Sequence, residues 1–173
     1  MRSRLSLVAD RELPEHLIAD TEHTLTHVGW LGVRRRAYAA EPLHVLHLEG
    51  TVPPVTLAHA GHDHAALLTT LRDDWISLGV ACAVTEDPPD LDIDLGGDPA
   101  AAAVLLLRSL VPVSRGGDFR DDLAGRLVVA EALTDDDLAS PRLPPEAQAL
   151  TAAMGGRRGA VHVAGILLGL RTV

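Results

Sequence analysis

The chain has 173 residues, of which 47% are hydrophobic, and its formal net charge at pH 7 is −9. This length and apolar content are enough to bury a hydrophobic core, which excludes a wholly disordered chain. All 15 basic residues are arginines, and 24 acidic residues outnumber them. Because an acidic chain repels a phosphate backbone, nucleic acid is not expected as a partner.

The longest apolar run, residues 100–107, is much shorter than a membrane span, and the N-terminus lacks the apolar core of a signal peptide. We therefore expect a cytoplasmic protein with no membrane partner. The single cysteine, Cys82, lies in an apolar stretch and allows no disulfide within the chain. We expect its side chain to be buried rather than to act as a nucleophile or a metal ligand.

The first 53 residues predict one strand–helix–strand–strand unit. An alternating run at the N-terminus is typical of a half-buried strand, and apolar side chains recur at helical spacing after Pro14. Two strand-like runs follow at 33–39 and 43–48. The pair Pro53-Pro54 then interrupts the pattern, so the first boundary is placed at residue 53.

The same order of elements is predicted again after this boundary. Residues 55–59 read as a strand, residues 64–78 as a helix, and residues 80–84 and 91–95 as two more strands. The apolar positions of the two units match at a constant offset of fifty residues, which favours an internal repeat. The alternative is two unrelated amphipathic units of equal length, and the sequence leaves both possibilities open.

The remaining chain predicts a helix at 100–110, capped by Asp98, and then a loop at 112–125. Strands are predicted at 126–133 and 160–168, with a helix between them. Together these elements predict an α+β protein with an antiparallel or mixed sheet and helices packed on it.

Three segments are expected along the chain. They are a first βαββ unit at 1–53, a second βαββα unit at 54–111 and a strand–helix–strand extension at 112–173. We expect the three to pack as one compact body.

Histidine is unusually frequent, with nine residues in the chain. His59, His62 and His64 surround Asp63 at the predicted junction of strand and helix, and imidazole and carboxylate groups are suitable ligands for a transition metal. The spacing matches no familiar metal-binding motif. The alternative is that an arginine-rich chain without lysine uses histidine on its polar faces.

Gly61 predicts another kind of site at the same junction. A glycine there permits a sharp turn and leaves amides free at a helix N-terminus, where they bind an anion such as a carboxylate. The alternative is a structural turn in which Asp63 caps the helix. The sequence has no Gly-x-Ser-x-Gly or Gly-x-Gly-x-x-Gly motif and no convincing catalytic constellation, so we do not expect an enzyme.

A stretch beginning at residue 55 resembles the opening of an ACT domain. In that family a strand leads into Gly-x-Asp-x-x-x-Leu and then into a helix that closes on Leu-Gly-Val. The matching residues here are Gly61, Asp63, Leu67, Leu78, Gly79 and Val80. The resemblance covers residues 55–111 and departs from the family at 64–66, where His-Ala-Ala replaces Arg-Pro-Gly.

Two such units in one chain are similar to tandem-ACT regulators, which have no catalytic domain. This resemblance implies a ferredoxin-like fold, built here from βαββ units, and a homodimer. It also implies a small ligand bound by Gly61, His62, Asp63 and His64, with amides of these residues taking its carboxylate and Asp63 capping the helix or meeting its amine. We therefore expect a non-enzymatic regulatory protein that senses a small molecule, such as an amino acid, and uses no cofactor.

Two other functions stay open. The acidic charge fits a protein-interaction module, of the immunity or adaptor type, that meets a basic partner. The histidine run fits a metal-binding protein with His59, His62 and His64 as ligands.

Overall fold

The structure, a computed structural model, describes residues 1–113 and 116–171, apart from the side chains of residues 39 and 55–62. The chain divides into two compact units, Met1–Pro89 (unit 1) and Asp90–Val173 (unit 2). Four strands and eight helices are present in the described residues, which confirms the α+β class. None of the helices in these residues combines the length and the apolar character needed to cross a membrane.

Unit 1 contains all four strands of the described chain in one antiparallel sheet. Its elements are β1 (Arg2–Ala9), α1 (Glu15–His27), β2 (Leu31–Ala40), β3 (Leu43–Thr51), α2 (Pro54–Ser77) and β4 (Ala81–Glu86). The sheet order is β2-β3-β1-β4. Leu5 of β1 lies opposite Leu48 of β3 and Val84 of β4, so β1 is a central strand. The strand–helix–strand–strand order predicted for the first 53 residues is confirmed.

The core of unit 1 lies between one face of the sheet and the helices α1 and α2. Every second strand residue points to this face because successive side chains of a strand alternate between its two sides. The core includes the buried side chains of Leu5, Leu7, Ile18, Leu25, Trp30, Leu46, Leu48, Leu68, Trp75 and Cys82. Trp75 Nε1 donates a hydrogen bond of 3.1 Å to Thr21 Oγ1, which joins α2 to α1. The predicted burial of Cys82 is confirmed.

Strand β2 lies at one end of the sheet and carries Arg34, Arg35 and Arg36 in succession. Its register against β3 shifts between Leu31 and Arg34. Gly32 lies within this shift at a φ of 64°, a left-handed conformation that residues with a Cβ rarely adopt. Gly32 therefore permits the register shift that lies directly before the three arginines.

Helices are the regular secondary structure of unit 2 in its described residues. Its helices are α3 (Leu91–Leu95), α4 (Pro99–Leu110), α5 (Phe119–Ala132), α6 (Asp135–Ala139), α7 (Pro145–Ala153) and α8 (Arg157–Leu167). The apolar helix α4 packs against α5, α7 and α8. Asp98 caps α4 as predicted, since its carboxylate accepts a hydrogen bond of 2.9 Å from the Ala101 amide.

Four predicted strands are wrong because the chain is helical there. The predictions at 55–59, 91–95, 126–133 and 160–168 fall on α2, α3, α5 and α8, respectively. In α3 the alternation Leu-Asp-Ile-Asp-Leu is too short to distinguish the two-residue period of a strand from the 3.6-residue period of a helix. Leu91 and Leu95 also lie on one face of a helix, at i and i+4. The segment 54–111 is therefore helix, strand, helix and helix, and its elements do not repeat those of 1–53.

Candidate functional site

The predicted ligand residues Gly61, His62, Asp63 and His64 lie inside α2 rather than at a strand-to-helix turn. Free amides occur in the first turn of a helix, and α2 already begins at Pro54. Amides further along a helix donate to carbonyls four residues earlier, so the anion site expected from free amides has no backbone basis at 61–64. Ligand binding by these four residues stays a prediction.

The described side chains of this run have different surroundings. Asp63 is exposed, whereas His64 is buried and accepts a hydrogen bond of 3.1 Å at Nε2 from Trp30 Nε1. An indole N–H only donates, so Nε2 of His64 must present a lone pair in this contact. The side chains of His59 and His62 lie outside the described residues.

The metal-binding alternative requires His59, His62 and His64 to converge. Nε2 of His64 already faces the Trp30 N–H, which leaves only its second ring nitrogen for a metal ion. Among the residues with described side chains, no three His, Cys, Asp or Glu groups are arranged to hold a metal ion. A metal site formed with His59 and His62 stays a prediction.

A pocket in unit 1 gathers a different set of polar groups. It lies between the start of α1 and the β2–β3 hairpin and has a volume of about 260 Å³. Its polar residues are Glu12, Glu15, Arg35, Tyr38 and His44. Its apolar residues are Leu13, Ile18, Ala37, Val45 and Leu46. Sites for drug-sized ligands measure roughly 300–1,000 Å³, so this pocket is suited to a smaller metabolite.

Arg35 is held on the pocket wall by two carboxylates of α1. Its Nε donates to Glu22 Oε1 at 2.8 Å, and its Nη1 donates to Glu15 Oε2 at 2.8 Å. These hydrogen bonds, that of Glu22 most strongly, raise the pKa of Arg35 above its already high ordinary value. The guanidinium is therefore a permanent and well-oriented positive charge.

Glu12 and His44 complete the polar wall. Neither side chain has a hydrogen bond or an ion pair with another described residue, so both are available to a ligand. With His44 neutral, two carboxylates and one guanidinium line the pocket. The excess of negative charge favours a ligand that carries a positive group.

A second polar cluster lies on the sheet face away from α1 and α2. Nδ1 of His47 is 2.9 Å from Ser6 Oγ, and these residues are directly opposite each other in β3 and β1. On the next rung of the same face, Arg4 Nε donates to Glu49 Oε1 at 3.0 Å. Cross-strand pairs of this kind stabilise the pairing of the two central strands.

The sequence prediction missed the hairpin pocket because its residues come from separate segments. One signal was available: Glu15 and Glu22 are seven residues apart and therefore lie on the same side of α1. In β2, the alternation of side chains places Arg35 on the sheet face that α1 covers. The sequence does not show that Glu12 and His44 meet at the same place.

No known protein family, curated protein or solved structure matches this chain.

Proposed function

We propose that the protein is a non-enzymatic regulator that senses a small amine-bearing metabolite, of the amino-acid class, in the hairpin pocket. One observation supports this function: the unpaired carboxylate of Glu12 and the fixed guanidinium of Arg35 line the same small pocket, together with apolar side chains. A free amino acid carries the complementary groups, namely an ammonium, a carboxylate and a side chain.

In the proposed complex the ligand's ammonium meets Glu12. All three guanidinium nitrogens of Arg35 already pair with Glu15 or Glu22, so one N–H on each of Nη1 and Nη2 is left for the ligand's carboxylate, together with the ring of His44. The ligand's side chain covers the apolar residues of the pocket. Because the lining is negative overall, the ammonium contributes more to the affinity than the carboxylate does.

We also propose that unit 1 has a ferredoxin-like fold. Its element order, βαββαβ, and its antiparallel sheet order, β2-β3-β1-β4, support this assignment. The strand that opens the ACT-like stretch at 55–59 is part of α2, so the resemblance to ACT domains does not bear on this sheet. The regulatory role that it implies stays a prediction. The homodimer implied by that resemblance stays a prediction, which light scattering coupled to gel filtration would test.

Calorimetric titration of the full chain tests the ligand class. The panel contains amino acids, the matching amines without the carboxylate and the matching N-acetyl amino acids without the ammonium. We expect an amino acid to bind, its amine to bind more weakly and its N-acetyl form not to bind. Binding of the N-acetyl form as tightly as the parent, or of nothing in the panel, contradicts the proposal.

A pair of glutamine variants tests the location of the site. Glu12→Gln keeps the shape of the side chain and removes its charge, so we expect the affinity to fall at least tenfold. Glu41→Gln makes the same change at an exposed residue in the hairpin turn, outside the pocket lining, and should bind as the wild type does. Equal losses in the two variants would show a general effect of charge and would exclude this pocket.

A further inference from the structure

A groove between α1 and α2 forms a second concave feature of unit 1. Leu17, Leu71 and Leu78 supply apolar surface to it, and Leu78 is 42% exposed. The groove has a volume of about 230 Å³, and Asp20 of α1 and Asp74 of α2 also line it. The groove thus combines an apolar surface with carboxylates from both of its helices.

The hydroxyl and indole groups of the groove are already hydrogen-bonded. Thr21 Oγ1 donates to Leu17 O at 2.8 Å and accepts from Trp75 Nε1 at 3.1 Å. Thr24 Oγ1 donates to Asp20 O at 2.9 Å. In contrast, neither the Asp20 nor the Asp74 carboxylate has a hydrogen bond or an ion pair with a described residue. The polar atoms left for a partner are therefore carboxylate oxygens, which only accept hydrogen bonds.

The negative charge of unit 1 is concentrated on these two helices. Together α1 and α2 carry six carboxylates and one arginine, a formal charge of −5 with histidine neutral. The remainder of unit 1 has six carboxylates and six arginines and is neutral, and one of these arginines, Arg35, pairs with Glu15 and Glu22 of α1. Such a concentration of charge attracts a basic partner and repels phosphate-rich polymers and anionic membranes.

We propose that the groove binds a lysine or arginine side chain from a basic segment of a partner protein. The aliphatic stem of that side chain lies on Leu17, Leu71 and Leu78, and its charged end reaches Asp20 and Asp74. The groove is separate from the hairpin pocket, and its occupant needs no carboxylate. The groove and the hairpin pocket share no lining residue.

Fluorescence anisotropy with a labelled peptide tests this surface. The probe is an end-blocked decapeptide of alternating lysine and leucine, and the same peptide with glutamate in place of lysine is its control. We expect the lysine peptide to bind the full chain, with lower affinity at higher salt, and the glutamate peptide not to bind. Absence of lysine-peptide binding at low salt overturns the proposal.

Variants that replace a carboxylate by an amide distinguish binding at the groove from a general electrostatic effect of the acidic helices. The double variant Asp20→Asn/Asp74→Asn is expected to weaken peptide binding at least tenfold. Asp73 is exposed and adjacent to Asp74 in the sequence, but it does not line the groove. Asp73→Asn should therefore change the affinity less than twofold. If Asp73→Asn weakens binding as much as Asp74→Asn alone, binding at the groove is excluded.

A competition experiment tests the size of the occupant. If free spermidine displaces the peptide at equal concentration, the groove is a small-amine site and the partner-protein proposal is wrong.

Discussion

Trp30 Nε1 donates a hydrogen bond of 3.1 Å to His64 Nε2, and both side chains are buried in unit 1. Trp30 lies directly before β2 and His64 lies inside α2, so the bond joins the sheet to the longest described helix. It satisfies two polar atoms that would otherwise be buried without a partner. His64 therefore has a structural role in unit 1.

Replacing His64 by leucine is expected to lower the free energy of unfolding by about 1–3 kcal/mol, because the Trp30 N–H loses its acceptor in apolar surroundings. Trp30→Phe leaves the His64 nitrogen unpaired and is expected to be destabilising as well. The double variant removes both polar groups, so it should cost about 1 kcal/mol less than the sum of the single variants. Urea denaturation measures all three, and strict additivity would show that the hydrogen bond contributes nothing.

Replacing Glu49 by glutamine is expected to destabilise the protein by about 3 kcal/mol, since breaking a buried ion pair leaves an uncompensated charge. Glu49 Oε1 accepts hydrogen bonds from Arg4 at 3.0 Å and from Arg36 at 3.3 Å, and the Arg4 and Glu49 side chains are only 6% and 7% exposed. Glu15 is 72% exposed in its pair with Arg35, so Glu15→Gln should cost less than about 1 kcal/mol. Denaturant unfolding compares the two variants, and equal losses would contradict the distinction.

Replacing Gly159 by alanine is expected to destabilise the protein by about 1–3 kcal/mol. A Cβ at this position of α8 would lie 2.5 Å from the Met154 carbonyl oxygen, and this clash outweighs the preference of about 1 kcal/mol for alanine in a helix. At Gly97 an added Cβ meets nothing within 4 Å. Gly97→Ala should therefore stabilise the protein by up to about 1 kcal/mol, because alanine lowers the conformational entropy of the unfolded chain. Thermal unfolding distinguishes the variants, and a higher melting temperature for Gly159→Ala would refute the expected clash.

The Cys82 thiol is expected to react with a thiol reagent only when unit 1 opens, because its side chain is fully buried beside Leu7 in the sheet. The rate of labelling should rise with urea in parallel with unfolding. Cys82→Ala should abolish the signal, since the chain has one cysteine. Labelling of the native protein as fast as of the unfolded chain would contradict the described burial.

Short apolar runs limited what could be predicted about the fold. Residues 55–59, Val-Thr-Leu-Ala-His, are mostly apolar and partly β-branched, and a run of that length after a breaker is compatible with either a strand or a helix. Pro54 in fact begins α2, as proline commonly does in the first turn of a helix. The later part of α2 is anchored in the core by Leu68 and Trp75, and such tertiary packing stabilises a helix despite an internal glycine.

The strand predicted at 126–133 failed for a related reason. Phe119, Leu123, Leu127 and Ala130 are buried at spacings of four, four and three residues, which is a helical stripe. The loop predicted at 112–125 divides that stripe, and the run after Gly125 alone is too short to distinguish a strand from a helix. By contrast, each element of 1–53 is long enough to show its own hydrophobic period and is followed by a turn or by proline, which explains why these elements were predicted correctly.

Strand β2 presents three successive arginines at the end of the sheet. If a second copy of β2 paired with it in antiparallel fashion around Arg35, Arg34 of each copy would face Arg36 of the other. Like charges directly opposite each other destabilise a strand pair, and charged edge strands hinder the extension of a sheet from one molecule to the next. This edge therefore resists the growth of β-aggregates, and any assembly of identical chains is expected to form through another surface.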